Sequence, residues 1–342
     1  MESPKISLAE QQLASVSNNP ASYDSGKVRN NCQPSDAASK LGLSKQPVMP
    51  RREHLHQDVA DGLDLRIDQH GKAVVAMHNA GNPYALYVGT HSLNVLLREV
   101  AVQAGLKPRN GDIAEFSNYL QSRAESVNRV THVSYRVASS DAGIVLDLGD
   151  AKHTRVSITA GKVEVITSGS ETLFYRPSTS RPMAMPAEVG NLALLDKYLN
   201  LQPESKMLIK AWLSYTLATP KLPTSNYVIL VLSGTQGSGK TSLSKNVILG
   251  LIDPSAVGVQ MFPSNKQDFA IAAQNAHVLC YDNLREFKHS MADLLCVAST
   301  GGSISTRQLY TNADQQVHTL HVALVLNGIH SSSISPTCRN AP

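Results

Sequence analysis

Tyr227-Val228-Ile229-Leu230-Val231-Leu232-Ser233-Gly234-Thr235-Gln236-Gly237-Ser238-Gly239-Lys240-Thr241-Ser242 is the stretch on which the fold turns. Residues 234–241 satisfy the pattern G-x-x-x-x-G-K-[ST] at every defined position. The run Tyr227–Leu232 in front of it has none of the alternation of a half-exposed strand, so it predicts a strand of a helix-covered parallel sheet. Lys240–Gly250 behind it predicts a helix, with Leu243, Val247, Ile248 and Leu251 spaced for one buried face.

The chemistry accounts for this spacing. Glycines at 234, 237 and 239 let the backbone turn so that successive N–H groups converge, and the following helix adds positive potential at its first turn. The cradle Gly234, Thr235, Gln236, Gly237, Ser238, Gly239, Lys240, Thr241 and Ser242 is therefore expected to hold the phosphates of ATP. Lys240 would bridge the β- and γ-phosphates, and Thr241 would place its hydroxyl on Mg²⁺. The bland alternative is a Gly-rich turn with an incidental lysine, and the flanking strand and helix argue against it.

A magnesium shell calls for an acid at the tip of a neighbouring buried strand. His277-Val278-Leu279-Cys280-Tyr281-Asp282 is an apolar run that ends in one, so Asp282 joins Thr241 as a candidate metal ligand; an Asp that merely closes a strand is the alternative. Asn283 stands where many ATPases carry a second acid that orients the attacking water, with Glu286 as a substitute. The helix expected over Asn265–Gln274 opens with Ser264 and Gln267 at capping-box spacing. A third run, His321–Leu326, ends in Asn327-Gly328. An amide there can position water beside the γ-phosphate, although Asn-Gly is also a plain turn signal. The candidate catalytic set is thus Lys240, Asp282, Asn283 and Asn327. Between the last two runs, a helix over Met291–Ser299 leads to a glycine loop and hairpin carrying Arg307 and Tyr310, which can meet a nucleic-acid backbone and base or simply stand in solvent.

The whole chain, 342 residues, is long enough for two domains. With 42% hydrophobic and 17% charged residues it lies far from the composition of chains that stay unfolded. A net charge of +4 permits a polyanionic partner without requiring one. Cys32, Cys280, Cys296 and Cys338 form no Cys-x-x-Cys pair, which predicts a reducing compartment and no structural zinc, and the histidines outside the phosphate-loop domain are scattered without metal-ligand spacing, so none is assigned to catalysis. No apolar run reaches membrane-spanning length, so a cytoplasmic protein with no membrane partner is expected.

Residues 1–56, rich in Ser, Asn, Gln and Pro, read as a disordered leader. A smaller α+β accessory domain is expected over 57–175: a hairpin at Leu63–Met77, helices over His91–Ala104 and Ile113–Glu125, then strands at Val133–Ala138, Gly143–Leu148, Thr154–Thr159 and Lys162–Ile166. The proline-bearing stretch 176–189 reads as a linker. The α/β unit with the phosphate loop would span 190–329, beginning with helices at Leu192–Leu199 and Glu204–Leu217, and 330–342 reads as an irregular tail.

With these residues in place, the region 129–329 resembles a group of bacterial, phage and mobile-element ATP-binding proteins similar to the superfamily three helicases and primase-helicases. The matching pieces are Asp147-Leu148-Gly149-Asp150, the phosphate loop, Tyr281-Asp282-Asn283-Leu284, Ala298–Gly302, Thr306–Thr311 and Val325–Ile329. The resemblance implies a P-loop NTPase of AAA+-like build, with a parallel sheet flanked by helices. It also implies a sensor role for Asn327, Asp282-Asn283 as the usual form of that pair, and an Arg307 hairpin that projects toward DNA. Such relatives continue past Asn-Gly-Ile with a helix, an Asp-Leu-x-x-Arg segment and a last strand. Here the chain stops at Pro342 and Arg339 lies in no matching segment, so a truncated product is expected.

Two functions of different class follow. One is a DNA-dependent ATPase of replicative helicase or primase type, using ATP and Mg²⁺ on single-stranded DNA, with a homo-oligomeric ring supplying an arginine from the neighbouring subunit. The other is a nonhydrolysing nucleotide-binding remnant or regulatory module. A small-molecule kinase ranks last, because no arginine occurs between Thr241 and Cys280 to build a lid.

Overall fold

A computed structural model describes residues 59–78, 81–103, 105–284, 289–307 and 315–328. The expected leader 1–56 and tail 330–342, and the candidates Glu286 and Tyr310, lie outside the described residues. The chain falls into two compact units that divide between Val133 and Ser134.

In the first unit the expected hairpin forms: Asp64–Ile67 pairs antiparallel with Ala73–Met77, which pairs in turn with Tyr84–Tyr87. All five residues of the central strand are buried. Helices His91–Gln103 and Asn110–Val127 pack on the sheet through Leu93, Leu96, Leu97, Ile113, Phe116 and Leu120. The second helix ends where Asn128 turns left-handed at φ 49° and returns its N–H to Ala124 O.

The second unit holds both an antiparallel and a parallel sheet. Val137–Ser140, Gly143–Asp147, Arg155–Thr159 and Lys162–Ile166 form a four-stranded antiparallel meander. The strand expected from Val133 through Ala138 is interrupted at Arg136, whose φ is 61°, and pairing restarts at Val137.

This meander belongs with the parallel-sheet unit, so the expected boundary at 176–189 gives way to one at 133/134. Asp253 is the reason. Its carboxylate accepts from Tyr135 Oη at 2.9 Å, Arg136 Nε at 3.1 Å, His277 N at 2.6 Å and Val278 N at 3.2 Å. The Arg136 guanidinium also donates to Ser180 Oγ, Arg181 O, Pro254 O and Asp147 O. Even the supposed linker is hydrogen-bonded into this unit, Arg181 N to Pro254 O at 2.8 Å and Met183 N to Leu148 O at 2.7 Å. Gly149 is a glycine for this purpose: at φ 71°, a Cβ there would meet Arg136 Nη1 at 2.6 Å. Asp147 holds Arg155 and Arg176, while Asp150 caps Thr154 through Oδ1 to N at 2.7 Å. The Asp147-Leu148-Gly149-Asp150 segment is thus a structural clamp.

The parallel sheet has four strands in the order Leu230–Leu232, Ala323–Asn327, Val278–Asp282, Val259–Met261. Helices cover both faces, and alternate residues of one strand show it. Leu279 and Tyr281 pack with Phe269, Leu294 and Leu295 of helices Lys266–Gln274 and His289–Thr300. Val278 and Cys280 pack with Ile209, Trp212 and Leu213 of helix Pro203–Ala218 and with Ile248 and Ile252. A strand enclosed on both sides has no polar face to alternate with, which is why these runs read as continuous apolar sequence.

The strand before the glycine-rich loop is shorter than expected. Tyr227 N donates to Ser299 O at 2.8 Å and Val228 O accepts from Trp212 Nε1 at 2.7 Å, so pairing with Ala323–Asn327 begins only at Leu230. The helix after the loop also differs. It opens as α at Lys240–Ser242, widens to a π-helix over Leu243–Leu249 and closes as α at Gly250–Ile252. The wider turn shifts the later residues around the axis, so that Ser244, Ile248, Leu249 and Ile252 are buried and Leu251 is 46% exposed. Leu192–Lys197 is a 3-10 helix. The N-cap of the helix at Lys266 is Asn265, whose Oδ1 accepts from Asp268 N at 2.7 Å, one residue later than the expected Ser264. No helix among the described residues is long and apolar enough to cross a membrane.

Two buried histidines give the unit a pH dependence. His277 and His321 pack on Tyr227, with ring centroids at 5.7 and 4.9 Å. Burial is the main cause that pushes each down to about 4, and the Lys221 ammonium adds to it. At His277, Asp253 and the Thr216 carbonyl oppose the shift and Arg136 reinforces it; at His321, the Ser225 backbone opposes it. The unfolded chain takes up protons near pH 6.5 that the folded chain refuses until about 4. Stability is therefore fully present above 6.5 and falls through that window by about 1.4 kcal/mol per unit per histidine. Melting temperature measured from pH 7 to 4.5 is expected to decline steadily below 6.5, and a flat profile would contradict this.

Candidate nucleotide-binding site

The three polar ends singled out in the sequence meet at the carboxyl edge of the parallel sheet. Leu232 is in register with Asn327, and Val278–Tyr281 with Ala323–Leu326, so the glycine-rich loop, the Asn327-Gly328 turn and Asp282 leave the sheet on the same side. In open α/β sheets this is the edge where ligands bind.

Gly237 and Gly239 adopt φ of 80° and 85°, values that a side chain would strain, and Gly239 is the N-cap from which the helix at Lys240 starts. Leu243 N reaches back to Gly239 O at 2.9 Å, closing the first turn. The Lys240 ammonium is folded onto its own loop, donating to Gly234 O and Thr235 O at 2.8 Å each and to Ser238 Oγ at 3.2 Å. Thr241 Oγ1 donates to Asp282 Oδ2 at 2.5 Å. Residues 41 positions apart in sequence are thus in direct contact, with Lys240 adjoining them on the chain.

These oxygens suit a hard divalent cation. Mg²⁺ demands oxygen ligands at about 2.0–2.1 Å in an octahedron, whose neighbouring vertices are about 2.9 Å apart. The Thr241 hydroxyl and the Asp282 carboxylate would need to separate by only a few tenths of an ångström to share such a shell.

Asn283 follows at φ 59°, a left-handed conformation that Asn tolerates, with its N–H on Asp282 Oδ1 at 2.8 Å. Asn327 is fully buried. Its main-chain oxygen accepts from Leu284 N at 3.1 Å, and Gly328 at φ 91° lies so close to Asn283 and Leu284 that a Cβ would meet Leu284 N at 3.2 Å. Asn327 therefore adjoins the Asp282-Asn283 turn. Ser242 bonds away from the loop, its Oγ accepting from Asn246 Nδ2 at 3.1 Å. Arg307 is the last residue of strand Ser303–Arg307, opposite Gln315 of Gln315–Thr319, which establishes the expected hairpin.

Sequence reasoning passed over Ser244. Its hydroxyl donates to Asn327 Oδ1 at 3.1 Å, and both residues are fully buried. The signal was a polar residue on the stripe that also carries Ile248, four positions on.

No curated protein matches the chain. Among solved structures, the A form apo structure of the NrS-1 C-terminal region is similar at 14% identity, over 81% of this chain and 55% of that one, with a TM-score of 0.35. The chain thus spans about half the length of that structure. Residues 192–340, under half of the chain and including the glycine-rich loop, Asp282 and Asn327, match the family model described as actinomycete integrative conjugative element replication protein.

Proposed function

We propose that this protein binds ATP with Mg²⁺ at Gly234–Thr241 and Asp282 and acts as a DNA-dependent ATPase of a mobile element's replication apparatus. The observation that carries the reading is the contact of Thr241 with Asp282 beside a lysine held in a glycine-rich loop. A hydroxyl, a carboxylate and an ammonium converge at a helix start, which is what a metal-bound triphosphate requires. Within this reading Lys240 neutralises the β- and γ-phosphates, Thr241 and Asp282 hold the metal, and Asn327 orients water or reads the terminal phosphate. The metal, when bound, supplies charge neutralisation on the phosphates.

The replication role draws on the family match, which covers the nucleotide site and names a replication protein of an integrative element. The Arg307 hairpin is then the part that meets single-stranded DNA, in a ring whose neighbouring subunit completes the site. Phosphate release with and without single-stranded DNA tests this. Several-fold stimulation by DNA is expected, and equal rates would contradict the DNA-dependent reading.

A second reading, nucleotide binding without turnover, is favoured by one observation: Asn283, where a second acid would orient water, is an amide. Tight ATP binding with no phosphate release over hours would select it.

A further inference from the structure

We propose that Ser244 is a positioning residue that holds the Asn327 amide in place. The inference rests on the nucleotide-binding reading and goes beyond it, because Ser244 lies three residues past the metal-binding threonine and touches no phosphate in that reading.

An asparagine side chain presents an acceptor on one side and two donors on the other, and nothing in its shape chooses between the two orientations. At residue 327 a buried hydroxyl meets the amide oxygen. Ser244 Oγ donates to Asn327 Oδ1 at 3.1 Å, with both residues at 0% exposure. In the opposite orientation the same hydroxyl would accept from Nδ2, and its own hydrogen would lose the oxygen it now serves. With the oxygen engaged, the Asn327 Nδ2 donors are left over, and they have no hydrogen-bond partner among the described residues. A fully buried donor without a partner is a costly arrangement that calls for an explanation.

Its surroundings say what that is. Asn327 is in register with Leu232, two residues before the glycine-rich loop, and its main chain bonds Leu284, two residues after Asp282. The group that reaches this place when the site fills is an anionic oxygen of the terminal phosphate, or a water bound to it. Ser244 itself sits in the π-helical segment, where the widened turn brings it into the buried stripe with Ile248 and Leu249. The π segment and the serine together let the helix that starts at Lys240 hold the amide at the tip of Ala323–Asn327.

The consequence is a preference for triphosphate over diphosphate. The full chain is titrated with Mg-ADP and with Mg²⁺ and an imidodiphosphate analogue of ATP that is not hydrolysed, and the ratio of the two affinities is read. Ser244→Ala is expected to lower the preference for the analogue about fivefold, the share of one neutral hydrogen bond, while ADP affinity stays within about twofold. Ser244→Cys, of similar volume and a weak donor, is expected to fall between Ala and wild type, and it carries the test alone if the alanine variant fails to fold. In an Asn327→Ala background Ser244→Ala should change the ratio no further, because the serine acts only through the amide. An unchanged ratio, an equal loss of both nucleotides, or an effect that persists without Asn327 overturns the assignment and leaves the nucleotide site standing. A wild-type chain that binds neither nucleotide overturns both.

Discussion

Lys240→Ala is expected to weaken Mg-ATP binding by roughly 100-fold or more while leaving the fold intact. The ammonium would make two or more charge-assisted hydrogen bonds to phosphate oxygens, each worth about 1.5–3 kcal/mol, and about 1.4 kcal/mol is a factor of ten in affinity. In the structure those donors rest on Gly234 O and Thr235 O, carbonyls of exposed loop residues that water can serve equally well. Removing the lysine therefore affects the ligand far more than the fold, and the melting temperature without nucleotide should barely move.

The second large effect concerns the fold alone. Asp253→Ala is expected to destabilise the second unit by about 3–5 kcal/mol, the usual result of removing one partner from a buried ion pair. The side chains of Arg136 and Asp253 are each 1% exposed, so the guanidinium would lose its counter-ion where water cannot replace it. The Tyr135 hydroxyl and the main-chain N–H groups of His277 and Val278 would lose an acceptor in the same place. Urea unfolding read by tryptophan fluorescence checks this directly, since the single tryptophan, Trp212, packs in the same cluster as Val278. A loss below about 1 kcal/mol would mean that Asp253 is not the tie between meander and parallel sheet. Replacing Arg136 as well by an apolar residue should recover only the part due to the stranded charge, because the Tyr135 hydroxyl and the His277 and Val278 N–H groups still lack an acceptor.

What could be read in the sequence was whatever local chemistry dictates. The glycines at 237 and 239 were legible because the backbone there needs positive φ, and Lys240 and Thr241 because the helix begins where they stand. Asp282 and Asn327 were legible as polar ends of apolar runs, since a strand enclosed on both faces leaves its tip as the only place for a functional polar group. The tie between Arg136 and Asp253 was not legible: it joins residues 117 positions apart, and neither carries a local mark of its partner. For the same reason the proline-bearing stretch 176–189 read as a linker, although Arg181 and Met183 are hydrogen-bonded to Pro254 and Leu148. Ser244 escaped because hydroxyl residues are unremarkable in a helix, and only the π turn explains its place beside Asn327.

The loop from Gly234 to Thr241, with Asp282 across from it, is proposed as a seat for a metal-bound triphosphate. An equilibrium titration of the full chain and of Lys240→Ala with ATP, in Mg²⁺ and again in excess chelator, tests it most directly. Saturable binding by the wild type is expected, weakening sharply without Mg²⁺ and by roughly 100-fold or more in Lys240→Ala. Equal affinity of the two proteins for ATP, or no binding by the wild type, would contradict it.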